Sequence, residues 1–250
     1  MIIHRFESLE STNKYCELLD LPSVEEFSVF WAMEQTAGIG QRGNHWSSQS
    51  GKNLTFSLVL HPTMLPASRQ FLLTQALSLA VVDGLRSCFL RDGHDNLGQS
   101  LRIKWPNDIY VGTSKICGIL TENRLSTSTI TTSICGIGLN VNQTTFEEWI
   151  PNPTSLSLLT TRHYDLEETL TIILSAIQYR YGQLKQCLTE TIQSEYLSLL
   201  LFCGIQRQYL LQGDPVTATI QGVSPQGHLL LLDSQGRHLQ CEIKQIQFLL

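Results

Sequence analysis

Between two apolar runs, Phe27 to Met33 and Leu54 to Leu60, the chain carries Gly38-Ile39-Gly40-Gln41-Arg42-Gly43, a G-x-G-x-x-G spacing. Followed by a helix, that spacing commits a chain to a doubly wound nucleotide fold. The strand leads into glycines, the helix N-terminus meets a pyrophosphate, and an acidic residue about twenty positions on holds a ribose. Here only the strand is present. Asn44 to Asn53 has no helical periodicity, and the next acidic residue after Glu34 is Asp83. A phosphate-loop reading fails too, because Trp46 stands where G-x-x-x-x-G-K-[ST] needs its first glycine and Asn53 where it needs a hydroxyl. What remains is a strand-to-strand loop with glycines, an arginine and a tryptophan. Such a loop can close on an anion through backbone N–H groups and Arg42, with Trp46 as a flat wall, or it can be a solvated connection.

The chain has 250 residues, 42% hydrophobic and 16% charged, enough for one large core or one domain with a small appendage. A net charge of -5 gives no broad basic field for nucleic acid or an anionic membrane, so any phosphate must be held locally. The start, MIIHRFESLESTNKY, lacks the basic-then-apolar pattern of a secretory signal. No uninterrupted apolar run approaches the ~18 residues of a membrane span. The seven cysteines are scattered, with no C-x-x-C pair, and read as reduced thiols. Together these features predict a cytoplasmic protein with a small-molecule or protein partner and no membrane.

Along the chain, Ile2 to Phe6 reads as a strand and Ser11-Thr12-Asn13 as a helix entry. Ser68 to Leu90 has helical apolar spacing, and Leu101 to Trp105 is a strand stopped at Pro106-Asn107-Asp108. A hairpin follows over Ile109 to Leu120, then a strand over Thr129 to Asn142. Asp165 and Glu168 suggest a capping box for a helix towards Leu188, with a further helix to about Phe202. Beyond Arg207, short apolar runs broken by Gly213-Asp214, Ser224-Pro225-Gln226-Gly227 and Ser234-Gln235-Gly236 read as a small all-β unit, which should dock on the first. The expected division is 1–205 and 206–250.

Two further constellations carry chemistry. Lys104 and Lys115 bracket Asn107-Asp108, a set able to hold a polyphosphate and its Mg²⁺, although singly an exposed lysine and a turn aspartate suffice as explanations. Gly136-Ile137-Gly138-Leu139-Asn140-Val141-Asn142 places small residues in a strand where a flat ligand could approach the backbone. The informative feature is their order: S-T-N, then Q-x-x-G-x-G-x-x-G-x-x-W, K-W-P-N-D, K-x-x-G-I-L and G-I-G-x-N-V-N.

In that order the sequence closely resembles the biotin–protein ligases, over essentially the whole chain. The resemblance implies an α+β fold: a mixed β-sheet backed by helices, related to class II aminoacyl-tRNA synthetases, followed by a small SH3-like β-barrel. It implies joining of biotin to ATP as biotinyl-5′-AMP with loss of pyrophosphate, then transfer to a lysine of the biotin carboxyl carrier domain of a carboxylase. ATP, biotin and Mg²⁺ are thus expected at the site. Ser11, Thr12, Asn13 and Gln35 would read the ureido ring, and Gly38, Ile39, Gly40, Gln41 and Gly118 would border biotin. Lys115 would be the central catalytic cation, assisted by Arg42. Arg42, Lys104, Asn107 and Asp108 would face the phosphates, with Asp108 as metal ligand, while Trp46, Asn140 and Asn142 would face the rest of ATP.

Two departures stand out. The family's glycine loop commonly reads G-R-G-[RQ]-x-G, and here Ile39 replaces the first arginine, so either Arg42 carries the phosphate contact alone or the adenylate is retained more weakly. Met1 lies only ten residues before Ser11, leaving no room for the DNA-binding winged helix of some members, so no DNA partner is expected. A lipoate or octanoate ligase and a non-catalytic biotin-binding relative remain as alternatives.

Overall fold

The computed structural model of the protein describes residues 1 to 249, except for the side chain of Arg42. Strands β1 (Ile2–Leu9), β2 (Ser28–Gln35), β3 (Leu54–Leu60), β4 (Leu101–Lys104), β5 (Asp108–Val111), β6 (Ser114–Ser126) and β7 (Thr129–Leu139) form a mixed sheet of order β1-β2-β3-β7-β6-β5-β4. Only β1 and β2 pair in parallel, and helix α1 (Thr12–Glu17) lies in the crossover between them. Strand β2 starts at Ser28 because Phe27 has φ 68°, left-handed backbone outside strand geometry.

On one face of the sheet lies α2 (Phe71–Arg91), covered by α5 (Leu166–Lys185) and α6 (Thr189–Leu199); the short α3 (Asp95–Gln99) and α4 (Leu156–Thr160) complete the helices. By length and composition the segment Ala67–Arg91 would also suit a membrane span, but most of its apolar stretch is buried and belongs to the main hydrophobic core. Close approach of α2 to α5 requires Gly84, where a Cβ would lie 2.5 Å from Ile173 Cδ1. Asp165 caps α5 through a hydrogen bond accepted from Glu168 N, 2.8 Å.

From Gln206 on, β8 (Gln206–Leu211), β9 (Asp214–Val223), β10 (Leu229–Asp233), β11 (His238–Cys241) and β12 (Ile246–Phe248) make an antiparallel sheet of order β11-β10-β9-β8-β12. Among the described residues its outer strands do not pair with each other, so the expected barrel is an open sheet of SH3-like size. It shares one hydrophobic cluster with the larger sheet, and Trp105 Nε1 donates to Gly227 O at 2.9 Å.

The register of the large sheet explains where a site can form. Residues paired side by side face the same way, and successive residues face opposite ways. One rung therefore reads Ala32, Thr55, Gly138, Gly118, Asp108, Lys104, and the next on the same face reads Phe30, Ser57, Gly136, Leu120. The alternate residues Phe56, Ile137 and Ile119 belong to the core on the helix side. The open face thus carries a strip without side chains at Gly136, Gly138 and Gly118. Protein groups settle onto it. A Cβ on Gly138 would lie 2.3 Å from Trp46 Cε2, and one on Gly136 2.2 Å from Asn13 Oδ1.

Gly138→Ala should therefore lift the Trp46 indole off the sheet and shift tryptophan emission to the red, with the shift vanishing in a Trp46→Phe background. An unchanged emission spectrum would show that the ring does not rest on β7.

Candidate active site

The open face of the sheet, the 38–46 loop and the C-terminal strand enclose a cavity of about 750 Å³. At one end stand neutral polar groups. Ser11 caps α1 by accepting from Lys14 N at 3.5 Å, so the capping role read from the sequence and a position on the cavity wall coexist in one residue. Thr12 donates to Gln35 Oε1 from its backbone N (2.7 Å) and its hydroxyl (3.1 Å). Asn13 Nδ2 donates to Glu122 Oε2 at 2.6 Å, and Ser57 Oγ lies 2.5 Å from Asn13 Oδ1 and 2.7 Å from Thr12 Oγ1. Ser57 and Glu122 are absent from the set read from the sequence. The available signal was Thr55 and Ser57 in the otherwise apolar Leu54–Leu60, where alternate polar residues mark a face that does not join the core.

The roof is the glycine loop. Ile39 bridges to His45, Trp46 N donates to Gly38 O (3.0 Å) and Gly40 N to Asn44 O (2.6 Å), with a 3-10 turn over Gln41–Gly43. No helix follows, in keeping with rejection of the dinucleotide reading. Gly38 does not border the cavity. It is glycine because a Cβ would lie 2.4 Å from Trp46 O. Ile39, Gly40 and Gln41 do line the cavity, and Gly43 takes φ 80° at the turn. The Arg42 side chain, expected on the phosphates, lies outside the described residues.

At the other end the groups are charged. Lys115 Nζ pairs with Asp108 Oδ1 at 2.8 Å and sits 5.6 Å from the centre of the Trp46 ring. Its backbone is pinned on both sides, N to Asn152 O (2.7 Å) and O from Thr154 N (2.8 Å). Lys104 Nζ lies between two rings, 5.6 Å from Tyr110 and 5.4 Å from Phe248. Burial pulls its pKa below the usual lysine value, and Lys115 adds to that while Asp108 opposes it. A desolvated ammonium gains more from a bound anion than a hydrated one. Asn107 is buried and donates to Ile119 O, which fixes the turn bearing Asp108. The Trp105–Pro106 bond in that turn is cis.

A neighbouring cavity of about 340 Å³ continues past Lys115 and Asp108 and is walled by Trp46, Asn140, Phe146, Trp149 and Pro153. Asn140 Nδ2 donates to Thr154 O (2.9 Å), and its Oδ1 is buried without a hydrogen-bond partner among the described residues. Asn142 borders neither cavity. Its amide is consumed internally: Oδ1 accepts from Tyr164 N and Ser157 Oγ, both at 2.9 Å, and Nδ2 donates to Tyr164 O at 2.8 Å. It anchors the loop after β7 rather than facing a ligand. Sequence reading also passed over Trp149, 57% exposed in a polar stretch, and Phe248, whose distance along the chain from Lys104 gives no local signal.

The described residues contain no group of three or more His, Cys, Asp or Glu side chains able to hold a metal ion. Asp108 is the one carboxylate that reaches the larger cavity among them. Because Mg²⁺ keeps much of its water and takes phosphate oxygens, one carboxylate beside a nucleotide is a sufficient protein ligand. Asp108 therefore fits, sharing its charge with Lys115.

The biotin/lipoate A/B protein ligase family model matches residues 5–140. The bifunctional ligase/repressor BirA of Bacillus subtilis is 30% identical over 231 residues, 91% of this chain and 68% of that protein. The biotin–[acetyl-CoA-carboxylase] ligase of Paracoccus denitrificans is 29% identical, over 92% of this chain and 94% of its own. Among solved structures, the biotin protein ligase from Aquifex aeolicus in complex with biotin and ATP superposes with a TM-score of 0.79 at 26% identity, covering 98% of this chain and 97% of that one. With the mixed sheet, the covered glycine strip and the paired lysines already in place, the chain belongs to the biotin/lipoate A/B protein ligase family.

Proposed function

We propose that the protein is a biotin–protein ligase, which activates biotin with ATP and then transfers it to a lysine of a biotin carboxyl carrier domain. The observation that carries this reading is the polarity of one cavity: neutral hydrogen-bonding groups at Thr12, Asn13 and Gln35, and cations at Lys104 and Lys115 at the far end. A ureido ring offers a carbonyl and N–H groups to the first, and a carboxylate beside a triphosphate suits the second. A dithiolane ring offers the neutral end no hydrogen bonds, which favours biotin over lipoate. The names of the Paracoccus and Aquifex relatives point the same way. The seven free thiols suit the cytoplasm, where ATP is available.

In the first step a biotin carboxylate oxygen attacks the α-phosphorus of ATP, the bond from that phosphorus to the bridging oxygen breaks, and pyrophosphate leaves. Two anions must meet, so the barrier falls in proportion to the positive charge already in place. Lys115 is held for this by its pinned backbone and by Asp108, which keeps the ammonium over the sheet. Lys104 faces the departing pyrophosphate, as would Arg42. Mg²⁺ held by Asp108 and phosphate oxygens would supply further neutralisation of that leaving group. In the second step the carrier lysine amine attacks the acyl carbon, the bond from that carbon to the phosphate oxygen breaks, AMP departs with the electron pair, and the nitrogen releases a proton to solvent. Between the steps the adenylate must be kept from water, the task of the 38–46 loop and the Trp46 ring beneath it. Trp149 offers an exposed aromatic face for adenine.

The direct test supplies ATP, Mg²⁺, an isolated carrier domain and either biotin or lipoate, and weighs the product. Biotinylation of one lysine with no lipoyl adduct is expected; a lipoyl adduct alone would transfer the assignment to lipoate. Lys115→Ala should slow biotin-dependent pyrophosphate exchange by roughly two to three orders of magnitude, as removal of a preorganised charge donor does; a near-normal rate would end its central role. Ile39→Arg should restore a cation to the loop and slow release of biotinyl-AMP, measured by filter retention of labelled adenylate. Equal release rates would place residue 39 away from the intermediate.

A further inference from the structure

From the neutral end of the cavity a hydrogen-bonded line runs back into the protein: Gln35, Thr12, Ser57, Asn13 and Glu122, of which Ser57 and Glu122 do not border the cavity. Counting hydrogens gives the line a direction. A carboxylate has only acceptors, so Glu122 Oε2 takes a hydrogen from Asn13 Nδ2 and fixes which way round that amide lies. Asn13 Oδ1 then faces Ser57, and being an acceptor it claims the single hydroxyl hydrogen of Ser57 at 2.5 Å. With its hydrogen on Asn13, Ser57 has none for Thr12 Oγ1, 2.7 Å away, so the single Thr12 hydroxyl hydrogen has two acceptors inside the protein, Ser57 Oγ and Gln35 Oε1. The Thr12 hydroxyl hydrogen is thereby held inside the protein, between Ser57 and Gln35 Oε1, and its remaining lone pair is what a ligand meets. Gln35 Oε1, already accepting from Thr12 N, leaves the Gln35 amide hydrogens for the ligand.

Without Glu122 the Asn13 amide can turn over and Ser57 can donate to Thr12; the Thr12 hydrogen then keeps only the longer contact to Gln35 Oε1, 3.1 Å, and can leave it for the cavity. The same side chains would then present the opposite pattern. Room for this line exists because Gly136 has no Cβ, since one would lie 2.2 Å from Asn13 Oδ1. Ser57 is fully buried, Thr12 and Asn13 nearly so, and Glu122 half-buried, so water does not substitute freely.

We propose that Glu122, acting through Asn13 and Ser57, is a positioning residue that fixes the direction of hydrogen bonding at Thr12, and so selects a ligand ring with an N–H donor towards Thr12 and an acceptor towards Gln35. The proposal rests on the biotin reading of the cavity and adds to it the groups that set its polarity. Glu122 lies outside the ATP end, so its influence falls on one substrate only.

The experiment is biotin-dependent pyrophosphate exchange by the whole chain, with biotin and ATP varied separately. Glu122→Ala should raise KM for biotin roughly tenfold, the weight of a hydrogen bond to a charged group, and leave KM for ATP within about twofold. Glu122→Gln, which still offers an acceptor but also a donor, should raise it only about threefold. Thr12→Val should raise KM for biotin in the unaltered chain but add little in the Glu122→Ala background, because the same interaction is lost twice. Equal rises in both KM values, unchanged biotin KM, or factors that multiply would each overturn the relay. Should Glu122→Ala fail to fold, Glu122→Gln and Ser57→Ala carry the same comparison, with an unchanged biotin KM in both as the contrary result. Exchange by the unaltered chain that needs no biotin would instead remove the biotin reading, and the relay with it.

Discussion

The site depends on three hydrogen atoms: those standing in place of side chains at Gly118, Gly136 and Gly138 on one face of the paired strands β6 and β7. Register puts Gly118 opposite Gly138 and both in line with Thr55, Asp108 and Lys104, so a bare strip runs from the neutral end to the cationic end. An alanine at Gly138 would collide with Trp46 and one at Gly136 with Asn13, while at Gly118 its Cβ would press to 3.1 Å from the Trp46 ring. The alternating residues Cys117, Ile119, Ile137 and Leu139 face the other way into the main core, which fixes the register because a one-residue slip would bury the strip and expose the core.

On that strip the protein places charge sparingly. Lys115 is balanced by Asp108, and Lys104 sits between the rings of Tyr110 and Phe248 with its pKa lowered by burial. A desolvated ammonium gains more from an anion placed beside it than a hydrated one does, so burial of Lys104 favours an anionic ligand at this end. Phe248 comes from the C-terminal sheet, and Trp105 hydrogen-bonds to Gly227 in the turn between β9 and β10 of that sheet. The small β unit is therefore part of the wall that holds Lys104.

Much of this was readable from the sequence where one period dominated. Leu54 to Leu60 has the same bounds in the structure as in the reading, since a buried run ended by a histidine and a proline leaves no choice. Helix α2 begins at Phe71 rather than Ser68 because Pro66 opens a separate 3-10 turn over Ala67–Arg69. The strand ending at Leu139 instead of Asn142 is a matter of pairing: Asn140 and Asn142 turn their amides to Thr154 and Tyr164. The same pairing removes Asn142 from the cavity. The glycine spacing alone suggested the wrong fold, and only the absence of a following helix and of an acidic partner corrected it. Glu122, Trp149 and Phe248 have no local signal because each acquires its place by contact with residues far along the chain, whereas Ser57 is marked by the polar alternation of Thr55 and Ser57 in an apolar strand. The Gly136 and Gly138 pair was seen as room for a flat ligand, whereas that room is shared with Asn13 and Trp46.

The proposed chemistry requires a cavity with two chemically different ends that bring a neutral ring and a triphosphate to one meeting point. A crystal structure of the protein with biotin and a non-hydrolysable ATP analogue tests this most directly. The ureido ring is expected against Thr12 and Gln35, with a carboxylate oxygen and the α-phosphate both within about 3 Å of Lys115 Nζ. A ring bound at the lysines, or an α-phosphate out of reach of Lys115, would contradict it.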